Sequence, residues 1–513
     1  MPVLDEPRVE ERPGVRQWWA LLALTVPVLL MSIDLTVLSM AVPALSEDLA
    51  PTATQLLWII DVYGVFLAGL LVLMGSLGDR IGRRRLLLVG ALSFGAASTL
   101  AAFAWNAEVL ILARALLGLG GATLMPSTLS LIRNIFQDPA QRRRAISIWA
   151  AAFAGGAGLG PVVGGLLLEH FWWGSVFLIN LPVMALLLFA GPFLLPESKD
   201  PDPGPFDVLS ALMLIAAVLA LIFGIKGAGE HGWDVGPIAS LLVGVLLAVL
   251  FAIRQRSLAH PMLDVGLFRS LPFTVAVFAN IAGVFAMTGV LYFFPQYVQI
   301  VLGRSPLEAG LWGLPLAVGA VLGAIAVPAI ARRIPTGWVI GMGLGTAAIG
   351  YLLLSMLGAD EVMALTFGGG ALLGLGVGLA NTLTNDVIIG TAPAEKAGAA
   401  AGISETAYEL GGALGTAILG SIGASLYRTQ VLEDLPAHTP RAITDAATQT
   451  LGAAHAAAQS SPEQAGPLLS VVNSAFVNAM TTTFTAAALI VGTAAIAAIV
   501  TLRRRRHEET RHH

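Results

Sequence analysis

Apolar runs of about 20 residues, long enough to cross a bilayer as a helix, recur along the whole chain. Fourteen can be marked, at roughly 18–42, 55–78, 85–104, 109–132, 144–168, 174–195, 207–225, 236–254, 272–298, 309–330, 337–357, 362–387, 398–426 and 475–502. Most of the breaks between them are short. The break at 196–207 (PESKDPDPGPFD) is polar and proline-rich, and it reads as a linker. A two-helix hairpin follows it, then the polar stretch 254–272, then six more helices. The expected order is therefore six, two, six: a first bundle in 1–200, an inserted hairpin in 201–260, and a second bundle in 261–513. The other long break is 428–469. There Thr439-Pro440 and Ser461-Pro462-Glu463 each read as an N-cap followed by proline at the first helical position. A short helical hairpin and an irregular loop both fit that stretch.

An even number of spans puts both termini on one side, and the positive-inside rule chooses which. Of the 28 Lys and Arg residues, 23 then fall on the side of the termini. Lys226, Arg304, Arg428 and Arg441 fall on the other, and Arg114 lies inside a span. Both termini and the loop at 75–85 are thus expected in the cytoplasm, with 428–469 outside. The first sixteen residues mix three Arg with four acids, and no short apolar segment with a cleavage site follows. A retained first helix is expected.

Composition agrees with the pattern. The chain has 513 residues, of which 56% are hydrophobic and only 12% charged, and its mean hydropathy is +0.80. Soluble domains run at roughly 25% charged, so this is an integral membrane protein. The net charge of −4 argues against nucleic acid as a partner. With no cysteine, disulfides, iron–sulfur clusters and thiol nucleophiles are excluded. The eight histidines fall in loops, turns or the tail, so no metal site is expected within the membrane. No Walker A sequence is present, so ATP is not expected to drive anything. No cofactor is expected, and an enzyme would have little to work with.

Several polar residues interrupt the apolar runs, and such groups normally mark substrate or proton paths. At 1.5 Å rise per residue, Asp34 sits about 24 Å from Trp18, Asp61 about 9 Å from Gln55 and Arg114 about 8 Å from Val109. All three are therefore expected at similar depth in the first bundle. Glu409 is about 16 Å from Gly398, near the midplane, with Glu405 one turn nearer the cytoplasm. Trp58, Tyr63, Phe66, Tyr292, Phe293, Phe294 and Tyr408 could stack on a flat or quaternary cation. Asn280, Gln296 and Gln299 offer uncharged polar contacts. For each of these the competing reading is structural: a core or lipid-facing aromatic, or in the case of Asp34 a partner for Arg114. Asp386 is expected at the cytoplasmic end, as a gating or capping group.

Two motifs carry a family resemblance. Residues 75–85, GSLGDRIGRRR, resemble the signature loop of the major facilitator superfamily, with Gly78, Asp79, Arg80, Gly82 and Arg83 matching. The glycines permit a tight turn. Asp79 can accept from a helix N-terminus or pair with an arginine, so the loop could lock and release two bundles. Residues 155–165, GGAGLGPVVGG, resemble the glycine-rich motif of the antiporter branch, through Gly156, Gly160, Pro161, Gly164 and Gly165. Dense small residues let helices pack backbone to backbone, and the proline kinks the helix.

With the sequences around Asp34, Asp61, Arg114 and Glu409, the chain from Trp18 to about Leu502 resembles the fourteen-helix drug:proton antiporter family of the QacA type. The resemblance implies the major facilitator fold and a multi-pass protein of the bacterial inner membrane. It also implies proton-coupled export of lipophilic cationic drugs, dyes and quaternary ammonium antiseptics by alternating access. Asp34, Asp61 and Arg114 would serve proton coupling. Glu405, Glu409, Tyr408, Trp58, Tyr63, Tyr292 and Phe293 would meet the substrate. Gly78, Asp79, Arg80, Gly82, Arg83 and Asp386 would gate. The partners implied are small cationic substrates, protons and lipid, with the chain a monomer. The membrane part of the tenth run has no acid, and Glu308 stands only at its start. That departs from relatives that handle dications. A transporter of another metabolite, a peptide or a lipid precursor would share the fold. The glycine-rich fifth run and the carboxylates argue for export of cations.

The charge split is directly testable, because the chain has no native cysteine. In intact cells a membrane-impermeant thiol reagent should label Asp445→Cys and spare Arg84→Cys. The reverse result removes the fourteen-span topology.

Overall fold

Hydrocarbon offers no hydrogen-bond partner to the peptide group, so a chain with this many apolar runs must close its backbone bonds within each run. The computed structural model, which describes residues 14–199, 206–259, 261–360, 362–392, 397–436, 439–460 and 462–503, does so with helices and, among these residues, no strand. Fourteen helices are long and apolar enough to span a bilayer. They are α1 (Val15–Leu49), α2 (Ala53–Ile81), α3 (Arg83–Ala102), α4 (Ala107–Ile135), α5 (Arg144–His170), α6 (Ser175–Leu194) and α7 (Val208–Gly229). The others are α8 (Val235–Ser257), α9 (Leu271–Val301), α10 (Pro306–Ala331), α11 (Thr336–Leu354), α12 (Met363–Thr391), α13 (Gly402–Asp434) and α14 (Ala465–Thr501).

The helices alternate in direction and so define two ends. The basic end carries Arg80, Arg83, Arg84, Arg85, Arg133, Arg254 and Arg332; the far end carries Arg304, Arg428 and Arg441. Helices overrun the apolar runs where polar residues continue them. The continuous helix that contains the span α14 begins at Pro462, well before residue 475. The stretch 428–469 is mostly helical: α13 runs on to Asp434, and short helices follow at Arg441–Ala447 and Leu451–Ser460. Pro440, not Thr439, is the N-cap of the first of these; Ser461 lies outside the described residues, as do Arg8, Arg12, Lys396 and 504–513.

Most buried apolar residues fall into two clusters. One is built from α1–α6 and the start of α7, the other mainly from α9–α14 and the far-end helices. The inserted helix α7 leans on both sides. Gly69 of α2 gives room to Ile215, and Gly229 meets Ser421 of α13. Asp207 ties the hairpin shut. It accepts from the backbone N–H of Ser210 at 3.1 Å and pairs with Arg254 of α8 at 2.9 Å. Burial works against this carboxylate, but the hydrogen bonds from Ser210 and Arg254 outweigh it and hold its pKa below the usual value.

One correction concerns Lys226, which reads from the sequence as an external loop residue beyond a span ending at 225. The seventh helix continues past it, and Lys226 is buried within the bundle. A hydropathy window ends at the first charge, but here the charge has a partner inside.

The glycines of residues 155–165 explain the packing of α5. Gly156, Gly160 and Gly164 recur every four residues and form one stripe against α1. A Cβ at Gly156 would collide with the carbonyl of Leu29, and one at Gly160 with the hydroxyl of Thr36. At Gly164 it would come within 2.8 Å of Val37. Gly165 faces the other bundle, where a Cβ would stand 2.5 Å from the Pro306 carbonyl of α10. Gly310 of α10 returns the contact against the Pro161 carbonyl. Glu169 also accepts from the Leu307 N–H at 3.4 Å. The glycines thus do two jobs: the stripe seats α5 on α1, and Gly165 brings the bundles backbone to backbone at the far end.

Gly160→Val should therefore cost about 1–3 kcal/mol by overpacking and reduce the monodisperse fraction after detergent extraction. Gly155→Ala, where a Cβ would meet nothing within 4 Å, should behave as wild type.

Candidate functional site

Between the bundles two cavities share a wall. The larger, about 370 Å³, is lined by α1, α5, α9, α10 and α12, including Met40, Phe153, Phe294, Trp312 and Asn381. Its surface is mostly apolar. The smaller chamber, about 110 Å³, is lined by Asp61, Tyr63, Arg114, Tyr292, Glu409 and Thr416, among others. Met287, Leu291 and Tyr408 line both. The site is thus an apolar hall with a charged alcove.

Two ion pairs contribute one member each to the alcove, Arg114 and Asp61. Arg114 of α4 donates to Asp34 of α1 at 2.7 Å, and both side chains are buried. The pair is fully dressed. Asn180 donates to the other Asp34 oxygen at 3.2 Å, and Ser98 lies beyond it. Arg114 Nε donates to the Ile59 carbonyl at 3.2 Å, and its guanidinium lies over the Tyr63 ring at 4.6 Å. Such outfitting is what a buried charge requires, because desolvation otherwise exceeds the Coulomb gain. The second pair joins Asp61 of α2 to Lys226 of α7 at 2.8 Å, and both side chains are again buried. The Lys226 ammonium lies 4.0 Å from the Trp58 ring centre.

Glu409 of α13 differs from both. It is 5% exposed, and among the described residues no ion pair holds it; its Oε1 has no hydrogen-bond partner. Gly64 of α2 makes space for it, since a Cβ there would come within 3.1 Å of Oε2. A carboxylate held without a cation beside an aromatic cavity can accept either a proton or a cationic guest.

The structure divides the sequence-derived candidates. Asp61, Arg114, Glu409, Tyr63, Tyr292 and Tyr408 converge on the alcove. Asp34 sits behind Arg114 and lines neither cavity. Trp58 and Tyr63 face cations, but the cations are the protein's own Lys226 and Arg114. Phe293 turns away, packed in the core against Phe476 and Phe484 at 5.9 and 5.8 Å. Its neighbour Phe294 lines the large cavity. Glu405 is half-buried one turn toward the basic end and lines neither cavity. Glu308 caps α10, completing a box with Ser305. Lys226 was not legible as a site residue; a lone lysine ending an apolar run was the only signal.

At the basic end, Gly82 joins α2 to α3 with φ 110°, a conformation that glycine adopts without strain. Asp79 pairs with Arg83 at 2.7 Å, within its own loop. Arg80 lies over the Phe206 ring at 5.8 Å. The N-terminus of α3 is served instead by Glu197 from the linker. Glu197 accepts from the Arg84 N–H at 3.2 Å and lies 3.7 and 3.8 Å from the Arg84 and Arg85 guanidinium nitrogens. The Arg83 N–H donates to the Ser198 carbonyl at 2.9 Å. A Cβ at Gly82 would run into Glu197 at 2.5 Å, while a Cβ at Gly78 would meet Leu86 at 3.3 Å. Asp386 is exposed near the end of α12, and its neighbour Asn385 takes the bond from Ser404 of α13 at 3.0 Å.

Residues 25–416 match the Major Facilitator Superfamily. The chain belongs to that family. It is a transporter and a multi-pass protein of the bacterial inner membrane. It is 47% identical to the multidrug efflux pump LfrA of Mycolicibacterium smegmatis, over 92% of this chain and 94% of that one. It is 36% identical to the methyl viologen resistance protein SmvA of Salmonella typhimurium, over 90% and 93% of the two chains. It is also 35% identical to the tetracenomycin C resistance and export protein of Streptomyces glaucescens, over 92% and 89%. Among solved structures, a bacterial homologue of the lysosomal transporter Spinster aligns with TM-score 0.67 at 17% identity, over 96% of this chain and 98% of that one. At that identity the likeness concerns the fold.

Asp34→Asn should leave the Arg114 charge buried without a counter-ion, at a cost of about 3–5 kcal/mol. The expected result is a lower melting temperature in detergent. Asp34→Asn combined with Arg114→Gln should recover most of it. Equal stability of wild type and the single variant would show that the pair carries no structural load.

Proposed function

We propose that this transporter exports lipophilic, mostly cationic drugs and dyes in exchange for protons. The observation that carries the reading is the alcove. Among the described residues no cation pairs with the buried carboxylate of Glu409, which faces a cavity of about 370 Å³ across the shared wall at Tyr408. The similarity to drug efflux and drug resistance proteins supports it.

The termini and the 75–85 loop face the cytoplasm, in keeping with the split of basic residues. A drug cation entering from there rests its apolar body on Phe294, Trp312 and Met287, and its charge near Glu409. Asp34 and Asp61 take protons from outside. A proton on Asp61 leaves Lys226 as the nearest cation to the guest, so the drug loses part of its attraction and departs. One proton moving through 100 mV supplies about 2.3 kcal/mol, and the bundles rock about the site to alternate its exposure. The Gly78–Arg83 loop, with Glu197, holds the bundle ends in register and releases them.

The test is loss of luminal protons from acid-loaded inverted vesicles when dye is added. Asp61→Asn and Asp34→Asn are expected to abolish it for every dye. Glu409→Gln should lose the more highly charged substrates and keep the others, because aromatic contacts persist when the carboxylate is gone. A wild type that accumulates dye without moving protons would remove the antiport reading. A Glu409→Gln variant dead for all substrates, with an Asp34→Asn variant that spares most, would reverse the roles given to these acids.

A further inference from the structure

Lys226 of α7 sits behind Asp61, which lines the charged alcove. Its ammonium lies 2.8 Å from Asp61, and both side chains are sealed from solvent. On the far-end side of this pair is a separate, narrow cleft of about 20 Å³, enough for a water molecule. Thr54, Lys226, Ser421, Arg428, Thr448 and Gln449 are among its lining residues. Thr448 and Gln449 belong to the turn between the two short far-end helices, so the cleft starts at that surface. On the other side lies the alcove, lined by Asp61. The Lys226–Asp61 pair is the partition between the two.

The backbone beside the partition is also unusual. Helix α13 widens into a π-turn at Thr416–Gly420. Thr416 lines the alcove, and Ser421, the next residue after the turn, lines the cleft. Such turns gather at functional sites. Three helices, α2, α7 and α13, therefore meet at this point with polar groups on both sides of one ion pair.

We propose that Lys226 is a proton relay between the far-end cleft and Asp61. In the step, the Lys226 ammonium gives a proton to the Asp61 carboxylate: an N–H bond breaks and an O–H bond forms. The pair passes from two charges to none. The neutral amine then takes a proton from a hydronium in the cleft, which leaves as water. The net change is one proton on Asp61 and an ammonium restored at Lys226. A neutral intermediate suits this dry partition, because burial penalises the charged forms. Lysine can do this, since its amine releases a proton readily when buried. Arginine cannot, because its guanidinium stays protonated in proteins. The competing role, a counter-ion that merely neutralises Asp61, would be filled equally well by arginine.

That contrast supplies the experiment. The proposal rests on the proton exchange proposed above, so wild-type vesicles come first: no dye-driven proton movement there ends both readings. With wild type active, Lys226→Arg is compared for dye binding by fluorescence and for dye-driven loss of luminal protons. Binding should be unchanged, while proton loss slows by about tenfold or more, the signature of an interaction used only in the transfer step. Wild-type proton rates in Lys226→Arg would overturn the relay and leave antiport standing. A second arm does not depend on that variant folding. Gln449→Cys, in a chain that otherwise has no cysteine, is treated in intact cells with a bulky membrane-impermeant thiol reagent before vesicles are prepared. The adduct should slow proton movement and leave dye affinity unchanged. Unchanged proton rates after complete labelling would overturn the path.

Discussion

A charge removed from water must find a partner within the protein, and this structure is arranged around that requirement. Taking a carboxylate or an ammonium into a low-dielectric interior costs several kcal/mol even after relaxation. Helices satisfy the backbone, so the side chains carry the problem. Arg114 solves it with Asp34, the Ile59 carbonyl and the Tyr63 ring. Lys226 solves it with Asp61 and the Trp58 ring. Glu409 is left without a cation among the described residues. The contrast between ion-paired and unpaired charges is what sets the alcove apart from the rest of the bundle.

The same requirement ties the hairpin to the rest of the bundle. Helix α7 packs on α2 through Gly69 and on α13 through Gly229, so it touches both sides of the cavity. Its single buried charge neutralises an acid of the first bundle. A mere spacer would present only apolar side chains. The far end is closed by different means. There Gly165 and Gly310 bring α5 and α10 to backbone contact, with Glu169 reaching the Leu307 amide. Small residues permit close approach, and close approach is strong in a membrane because lipid gives helices little other reason to associate.

The linker after the sixth helix has a comparable double role. Glu197 and Ser198 hold the start of α3, and Asp207 holds the hairpin through Arg254. Asp79, the acid that the loop pattern singles out, pairs within its own loop through Arg83. The acid that reaches the helix N-terminus comes from more than a hundred residues away. Four helices, α3–α6, must pack before the two can meet, which is why the sequence alone offered Asp79 for both tasks.

Read alone, the chain determined its fourteen spans, their order, the basic bias of one end, and the depth at which Asp34, Asp61 and Arg114 lie. Each of these depends on one helix at a time: on its length, its rise per residue and the polarity of its ends. The glycine-rich run of α5 was legible for the same reason, as a density of small residues along one helix. What only the tertiary structure decided are the pairings between helices. It set Lys226 inside rather than outside, placed Asp34 behind Arg114, turned Phe293 into the core and Phe294 into the cavity, and left Glu409 beside Gly64. These depend on how each helix is rotated and on what its neighbours present, and in a helix apolar on nearly every face the sequence contains almost no signal for rotation.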